Sequence, residues 1–353
     1  MTTQAPTLGE ILKRTREYLA TRLGASAQLD AQLLVSHVTG LPRLQIFMQT
    51  ERPMADTELE ALRPLVRRRF RGEPMAYILG QRGFWQHTFK TDARALIPRP
   101  ETERIMEACA YWGRTRKADA LRIVDVGTGT GALAISLALE FPQSQVVAID
   151  VSDDALALAD ENRQLLGVTE RVHLSRGDLL GALVRKGSRP DVVVSNPPYI
   201  GTSERDSLMA DVVEHEPSLA LFSGDDGLEL IRRLIPQASE VLAAGGLFAM
   251  EFGWKQGLAV LELARTRFPH AALLRDYAGH DRVLLASHDV DVDGIARALS
   301  TGIGARQPEQ ADALKESGSN TPSTADSSAV TVDERLWAEV RESGLPVIDV
   351  NDL

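Results

Sequence analysis

Leu121-Arg-Ile-Val-Asp-Val-Gly-Thr-Gly-Thr-Gly131 carries an apolar, β-like run straight into three alternating glycines, and Gly131 to Glu140 reads as a helical run. A buried strand that turns sharply into a helix uses glycine at the turn, where a ligand can also press against bare backbone. Asp150 closes the next strand-like run, Gln145–Asp150, and a carboxylate placed there can accept from both hydroxyls of a ribose. These features predict a nucleoside site at the ends of adjacent strands.

The flanking sequence keeps the same rhythm. Val172–Ser175, Asp191–Ser195, Gly246–Glu251 and Arg282–Ala286 read as strands, and Ser152–Leu166, Gly227–Ala244 and Gly257–Arg265 read as helices. Such alternation marks a mostly parallel sheet with helices on both faces. The last strand is expected to pair antiparallel at one edge.

The glycines and the later acid, taken alone, would suit NAD, and an unliganded structural turn is the plain alternative. Two details favour S-adenosylmethionine. The spacing is GxGxG, and Asp125 offers a carboxylate that can meet an ammonium group but would repel a pyrophosphate. After the third strand, Asp178 can accept from the exocyclic amine of adenine or simply cap a loop.

The fourth strand ends in Asn196-Pro-Pro-Tyr199. The two prolines have no backbone N–H and hold the chain extended, so nearby carbonyls stay available as acceptors. With the Asn196 side-chain carbonyl they can take both N–H bonds of a planar NH₂ group, while the Tyr199 ring lies against the flat group that carries it. Strand-terminating prolines are the structural alternative, less apt beside a glycine loop in the same sheet.

Residues 7–71 read as helical, opening with a capping box at Thr7 and Glu10 and an apolar stripe of Leu8, Ile11, Leu12 and Leu19. Arg63, Arg67, Arg68, Arg69 and Arg71 cluster late in this region, as either a solvated face or a docking surface. Next comes a stiff strap, Ala95 to Glu103, with Arg99 between two prolines.

Residues 1–92 hold 13 basic and 9 acidic side chains, residues 289–353 hold 5 and 13, and the whole chain is at −10. That balance argues against a broad nucleic-acid grip. One cysteine, Cys109, excludes a disulfide framework, and the seven histidines show no metal-ligand spacing, so no metal is expected. Without a leader-like N-terminus or a long apolar run, a cytoplasmic chain is expected, with no membrane association.

Taken together, Asp30-Ala-Gln-Leu-Leu34, Gly72-Glu-Pro-Met-Ala-Tyr-Ile-Leu-Gly80, Phe84-Trp85, Leu96-Ile-Pro-Arg-Pro-Glu-Thr-Glu103, Asp125 to Gly131, Asn196 to Ile200, Glu216-Pro217 and Asp226-Gly227 carry a resemblance. The chain resembles the protein-(glutamine) N-methyltransferases, and within them the release factor glutamine methyltransferase family, over residues 8–287. The resemblance implies a class I, Rossmann-like seven-stranded sheet and transfer of a methyl group from S-adenosylmethionine. Its target would be the glutamine amide in the Gly-Gly-Gln motif of bacterial peptide chain release factors. It also implies that Gly127, Thr128, Gly129, Thr130 and Gly131 line the methionine part, Asp150 holds the ribose, and Asp178 with Leu179 flanks the adenine. Asn196, Pro197, Pro198 and Tyr199 would hold the target amide, with Arg99, Pro100 and Glu103 in the surrounding wall. Glutamine methylation of a ribosomal protein is the nearest alternative, and adenine amino-methylation on DNA or RNA a more distant one.

The expected layout is a helical substrate-recognition domain (1–75), a connecting hairpin and strap (76–103), a methyltransferase domain (104–288) and an acidic, partly disordered extension (289–353) that lies outside the family pattern. Within that extension, 300–330 reads as linker and 332–353 as a short helix with an extended end. A monomer is expected.

Overall fold

A computed structural model describes residues 5–116, 120–301 and 348–349. The chain divides into two compact units: Met1–Gln81 with Thr91–Ala93 and Leu208–Glu216, and Arg82–Lys90 with Arg94–Ser207 and Pro217–Leu353.

The first unit contains α1 (Leu8–Leu23), α2 (Ala27–Thr39), α3 (Arg43–Met48), α4 (Asp56–Phe70) and α5 (Met75–Leu79). The capping box forms as expected: Glu10 N–H donates to Thr7 Oγ1 at 3.3 Å, and Thr7 N–H donates to Glu10 Oε2 at 3.0 Å. Leu8, Leu19, Leu34, Val35, Ile46 and Leu62 close a separate small core. α3 falls within the stretch expected to be helical, whereas the short α5 was not anticipated; each follows a proline, Pro42 and Pro74, whose fixed φ suits a helix start. The arginine cluster is divided. Arg69 is buried, with Nε 2.8 Å from Asp30 and a second acid, Asp211, at 3.6 Å, whereas Arg68 pairs with Glu73. Neither a wholly solvated face nor a wholly free docking surface describes it.

The second unit opens on a hairpin, β1 (Gln81–Phe84) and β2 (His87–Lys90), whose turn holds Trp85 at φ 55°. Pro100–Thr102 forms one 3₁₀ turn that leads into α6 (Glu103–Arg116). The sheet follows: β3 (Arg122–Val126), α7 (Ala132–Glu140), β4 (Gln145–Asp150), α8 (Asp153–Leu165), β5 (Val172–Arg176), α9 (Gly181–Lys186) and β6 (Val192–Ser195). After α10 (Ala210–His215), which belongs to the helical unit, come α11 (Glu229–Val241), β7 (Leu247–Glu251), α12 (Gly257–Arg265), β8 (His270–Arg275), β9 (Asp281–Ser287) and α13 (Val292–Ser300).

The strand order is β10-β5-β4-β3-β6-β7-β9-β8, where β10 is Ile348–Asp349, aligned parallel with Ser175 and Arg176. Without β10 this is the expected seven-stranded, mostly parallel sheet. Successive residues of β3 enter opposite cores, Ile123 one and Val124 the other, so the sheet is buried on both faces. One expectation is corrected. β9 does pair antiparallel with β7, but it lies inside the sheet, because β8, which lacks a clear strand signal, takes the edge.

The packed fold also runs past residue 288. Val292, Ile295, Ala296 and Leu299 of α13 are buried in the larger core, since an amphipathic turn of helix covers the face beside α6 and β8. The anticipated linker and terminal helix fall outside the described residues, apart from Ile348–Asp349.

Candidate active site

The parallel register brings several strand ends to one level. Val126 pairs with Ile149 on one side and Ser195 on the other, and Ser195 pairs with Met250. The glycine loop, Asp150, Asn196 and Glu251 therefore leave the same edge of the sheet, at the point where strand order reverses on either side of β3. Open α/β sheets bind ligands at this position. A cavity of about 370 Å³ lies there.

Gly127 and Gly129 have φ of 72° and 56°, and a Cβ built on Gly127 would meet nothing within 4 Å. Both line the cavity with Thr128 and Thr130. Gly127 and Thr128 N–H groups donate to Ile149 O at 2.8 and 3.0 Å, which folds the loop over the end of β4. Gly131 serves packing. It is absent from the cavity lining, has φ 81°, and a Cβ there would lie 2.8 Å from Ile135 Cδ1 and 3.3 Å from Ala159 Cβ.

Asp125 is fully buried beneath the loop. Its Oδ2 accepts from Thr128 Oγ1 at 2.7 Å and Ala134 N–H at 3.2 Å, while Oδ1 has no protein partner among the described residues. Burial pushes its carboxyl up to about 7, against the pull of those two bonds. Asp150 stands at the rim, its Oδ2 2.9 Å from Gly129 N–H and its Oδ1 3.0 Å from Ser152 N–H, and burial raises its pKa as well. These bonds orient the carboxylate before any ligand arrives.

Asn196, Pro197 and Pro198 line the cavity on the far side of the loop, and Ser195 Oγ donates to Val126 O at 2.7 Å, fastening β6 to β3. Asn196 Nδ2 donates to Thr102 Oγ1 at 3.1 Å, and Thr102 Oγ1 donates to Glu251 Oε2 at 2.6 Å. Tyr199 departs from expectation. It does not line the cavity; its hydroxyl donates to Glu251 Oε1 at 3.0 Å, and burial with the Glu251 charge raises the phenol, keeping it protonated. Its carbonyl accepts from Gln256 Nε2 at 2.9 Å.

The strap contributes Ala95 to Arg99 and Thr102 to the cavity wall, but Pro100 and Glu103 are outside it. Glu103 accepts from Trp85 N–H at 2.9 Å, and Trp85 Nε1 lies 3.3 Å from Glu140, so this tryptophan of the hairpin turn packs on the larger core and does not line the cavity. Asp178 and Leu179 line the cavity as expected, although Asp178 is ion-paired with Arg233, and Leu179 is held at φ 55°. Sequence reasoning missed Thr102, Glu251 and Arg233. Thr102 sits within the quoted strap, and Glu251 ends a strand at the ligand edge, which was the available signal.

Residues 10–80 match the family model described as PrmC N-terminal domain, and residues 117–272 match a methyltransferase domain. The release factor glutamine methyltransferase of Chlorobaculum tepidum is 40% identical over 281 residues, covering 78% of this chain and 95% of that protein. The Bacillus subtilis protein of the same name is 36% identical over 284 residues, covering 79% and 97%. This chain belongs to the release factor glutamine methyltransferase family. Membership implies S-adenosylmethionine as cofactor, and the site suits it. The unused Asp125 oxygen matches an ammonium, the side-chain-free Gly127 matches close backbone approach, and Asp150 matches a ribose. No helix among the described residues is long and apolar enough to cross a membrane.

Proposed function

We propose that this methyltransferase acts on the side-chain amide nitrogen of the glutamine in the Gly-Gly-Gln motif of bacterial peptide chain release factors. It would work as a cytoplasmic monomer without gripping nucleic acid. The observation that carries this reading is that Asn196, Pro197 and Pro198 share one cavity with Gly127 to Thr130 and Asp150. Acceptors suited to an NH₂ group thus face a loop suited to a methyl donor. The names of the family relatives support the release factor as partner.

S-adenosylmethionine, when bound, supplies a methyl group on a sulfonium sulfur. Asp125 would hold its ammonium, Gly127 to Thr130 its methionine backbone, Asp150 its ribose, and Asp178 with Leu179 its adenine. An amide nitrogen is a poor nucleophile because its lone pair is delocalised. Asn196 Oδ1 and the Pro197 carbonyl would accept its two N–H bonds and aim the lone pair at the methyl carbon, so the gain comes from positioning and electrostatics. As the new bond from nitrogen to the methyl carbon forms, the carbon–sulfur bonding pair would stay on sulfur, and the nitrogen, now cationic, would then release one of its protons without a strong base.

The test is methyl transfer from labelled S-adenosylmethionine to an intact bacterial release factor, with ribosomal proteins and DNA in parallel and mass spectrometry to place the label. Methyl on the glutamine of Gly-Gly-Gln is expected. Label confined to ribosomal protein or DNA would overturn the assignment.

A further inference from the structure

We propose that Glu251 is a positioning residue for methyl transfer, acting through Thr102 to set which end of the Asn196 amide faces the substrate. The proposal rests on the glutamine-methylation reading above and deepens it.

Glu251 ends β7 with 1% of its surface exposed, which is an expensive place for a carboxylate unless its oxygens are occupied. Both are. Oε2 accepts from Thr102 Oγ1 and Oε1 from the Tyr199 hydroxyl, so the carboxylate is tied to one cavity-lining residue and to one residue of the Asn196–Tyr199 turn. An aliphatic side chain would fill the same space without needing partners, so packing alone gives no reason for a carboxylate here.

An ionised carboxylate only accepts, and this fixes the sense of the whole chain of bonds. Thr102 must turn its O–H toward Glu251, which leaves its oxygen able only to accept from the other side. The group on that side, 3.1 Å away, is the Asn196 amide, and only its Nδ2 end can donate. Oδ1 is thereby turned away from Thr102 and left for the substrate. With the amide reversed, an NH₂ would confront the NH₂ of the target glutamine, and two donors cannot bond. Tyr199 anchors the other end of the turn to the same carboxylate. Burial raises the Glu251 carboxyl above its ordinary value; the Thr102 and Tyr199 hydroxyl bonds and then Arg282 favour its ionised form, and Glu101 opposes it.

The experiment uses the full chain, S-adenosylmethionine and an intact release factor, and compares wild type with Thr102→Val, Thr102→Ser and Glu251→Gln. Valine keeps the shape of threonine but has no oxygen; serine restores the oxygen. The expected result is a fall of at least tenfold in kcat for Thr102→Val. KM for the release factor should stay within threefold and cofactor affinity by calorimetry within twofold, with Thr102→Ser recovering to within threefold of wild-type kcat. Glu251→Gln should also lower kcat, because its NH₂ can only donate and so forces Thr102 or Tyr199 to accept from it and turn its O–H away, undoing one end of the chain of bonds. A wild type that places no methyl on glutamine would overturn the functional reading and this proposal with it. With an active wild type, kcat within twofold for Thr102→Val, or a Ser variant no better than Val despite unchanged thermal unfolding, would overturn the positioning role alone.

Discussion

Asn196 and Asp150 sit on opposite sides of one cavity and are assigned opposite duties. Asn196→Ala is expected to abolish transfer while cofactor affinity stays within about threefold, because in the proposed reaction its acceptor would hold the target amide. Asp150→Ala is expected to weaken cofactor binding first, by about 10–100-fold for the loss of a charged acceptor pair. Equal losses of affinity in both variants, measured by calorimetry, would contradict this division. Asp125 makes a third expectation. In the cofactor-free protein its carboxyl titrates at about 7, and an amino-acid ammonium loses its proton near pH 7.7–8.0. Cofactor affinity should therefore peak between those values and fall roughly tenfold by pH 6, with proton release on binding below pH 7. Asp125→Asn should lack the acid limb. The sign for stability is opposite to that of an ion-paired acid. The raised pKa means that the folded chain retains a proton the unfolded chain has released between about pH 4 and pH 7, so the cofactor-free fold loses stability as pH rises through that window. Asp125, Asp150 and Asn196 were legible in sequence because each lies beside a glycine loop, a strand end or a proline pair. Glu251 was not, because its partner Thr102 is 149 residues away and no local pattern announces the contact.

At the scale of elements, the Asn196–Tyr199 turn is held by a second loop. Gly227 has φ 75°, and a Cβ on it would fall 2.1 Å from Tyr199 O and 2.7 Å from Gln256 Nε2. Gln256 Nε2 bridges the Tyr199 and Asp226 carbonyls at 2.9 and 3.2 Å, so the glycine lets two loops close on one amide. Gly227→Ala should cost at least about 1–2 kcal/mol from the left-handed backbone alone. The clash should also displace the turn, so kcat should drop in protein that remains folded. Denaturant unfolding together with steady-state kinetics checks this, and a variant with wild-type kcat would show that the turn does not depend on the loop. Strands β3, β4 and β7 were readable from apolar runs that ended at glycine, aspartate or glutamate. β8 was not, because His270-Ala-Ala-Leu-Leu-Arg275 is equally compatible with a helix until the sheet supplies its neighbour. The Tyr199 ring and Gly131 were read toward the ligand because motif membership does not tell which way a residue faces.

For the whole molecule, the C-terminal boundary changes what a truncation should do. Ending the chain at residue 288 removes α13 with its buried Val292, Ile295 and Leu299, whose burial contributes on the order of 5 kcal/mol, a large share of a domain's net stability. Ending it after Thr301 keeps that helix. The first variant should unfold well below wild type and the second close to it; equal melting temperatures would mean that α13 adds little. Sequence composition placed the break at 289 because the charge turns acidic there, yet a short helix with one apolar face can carry many acids on the other.

The order of strands also has a temporal side. β7 is buried along its whole length, but the strand that covers its outer edge, β9, is made 30 residues later, after the chain has run out to β8 and back. At synthesis rates of about 5–20 residues per second, that edge stays unpaired for roughly 2–6 s on the ribosome. Its open N–H and C=O groups then form a template for any other extended chain. Nascent chains stalled at His280 should therefore bind holdase chaperones and aggregate on release, whereas chains stalled after Thr301 should not. The residues that complete the sheet thus also act as a safeguard during its birth.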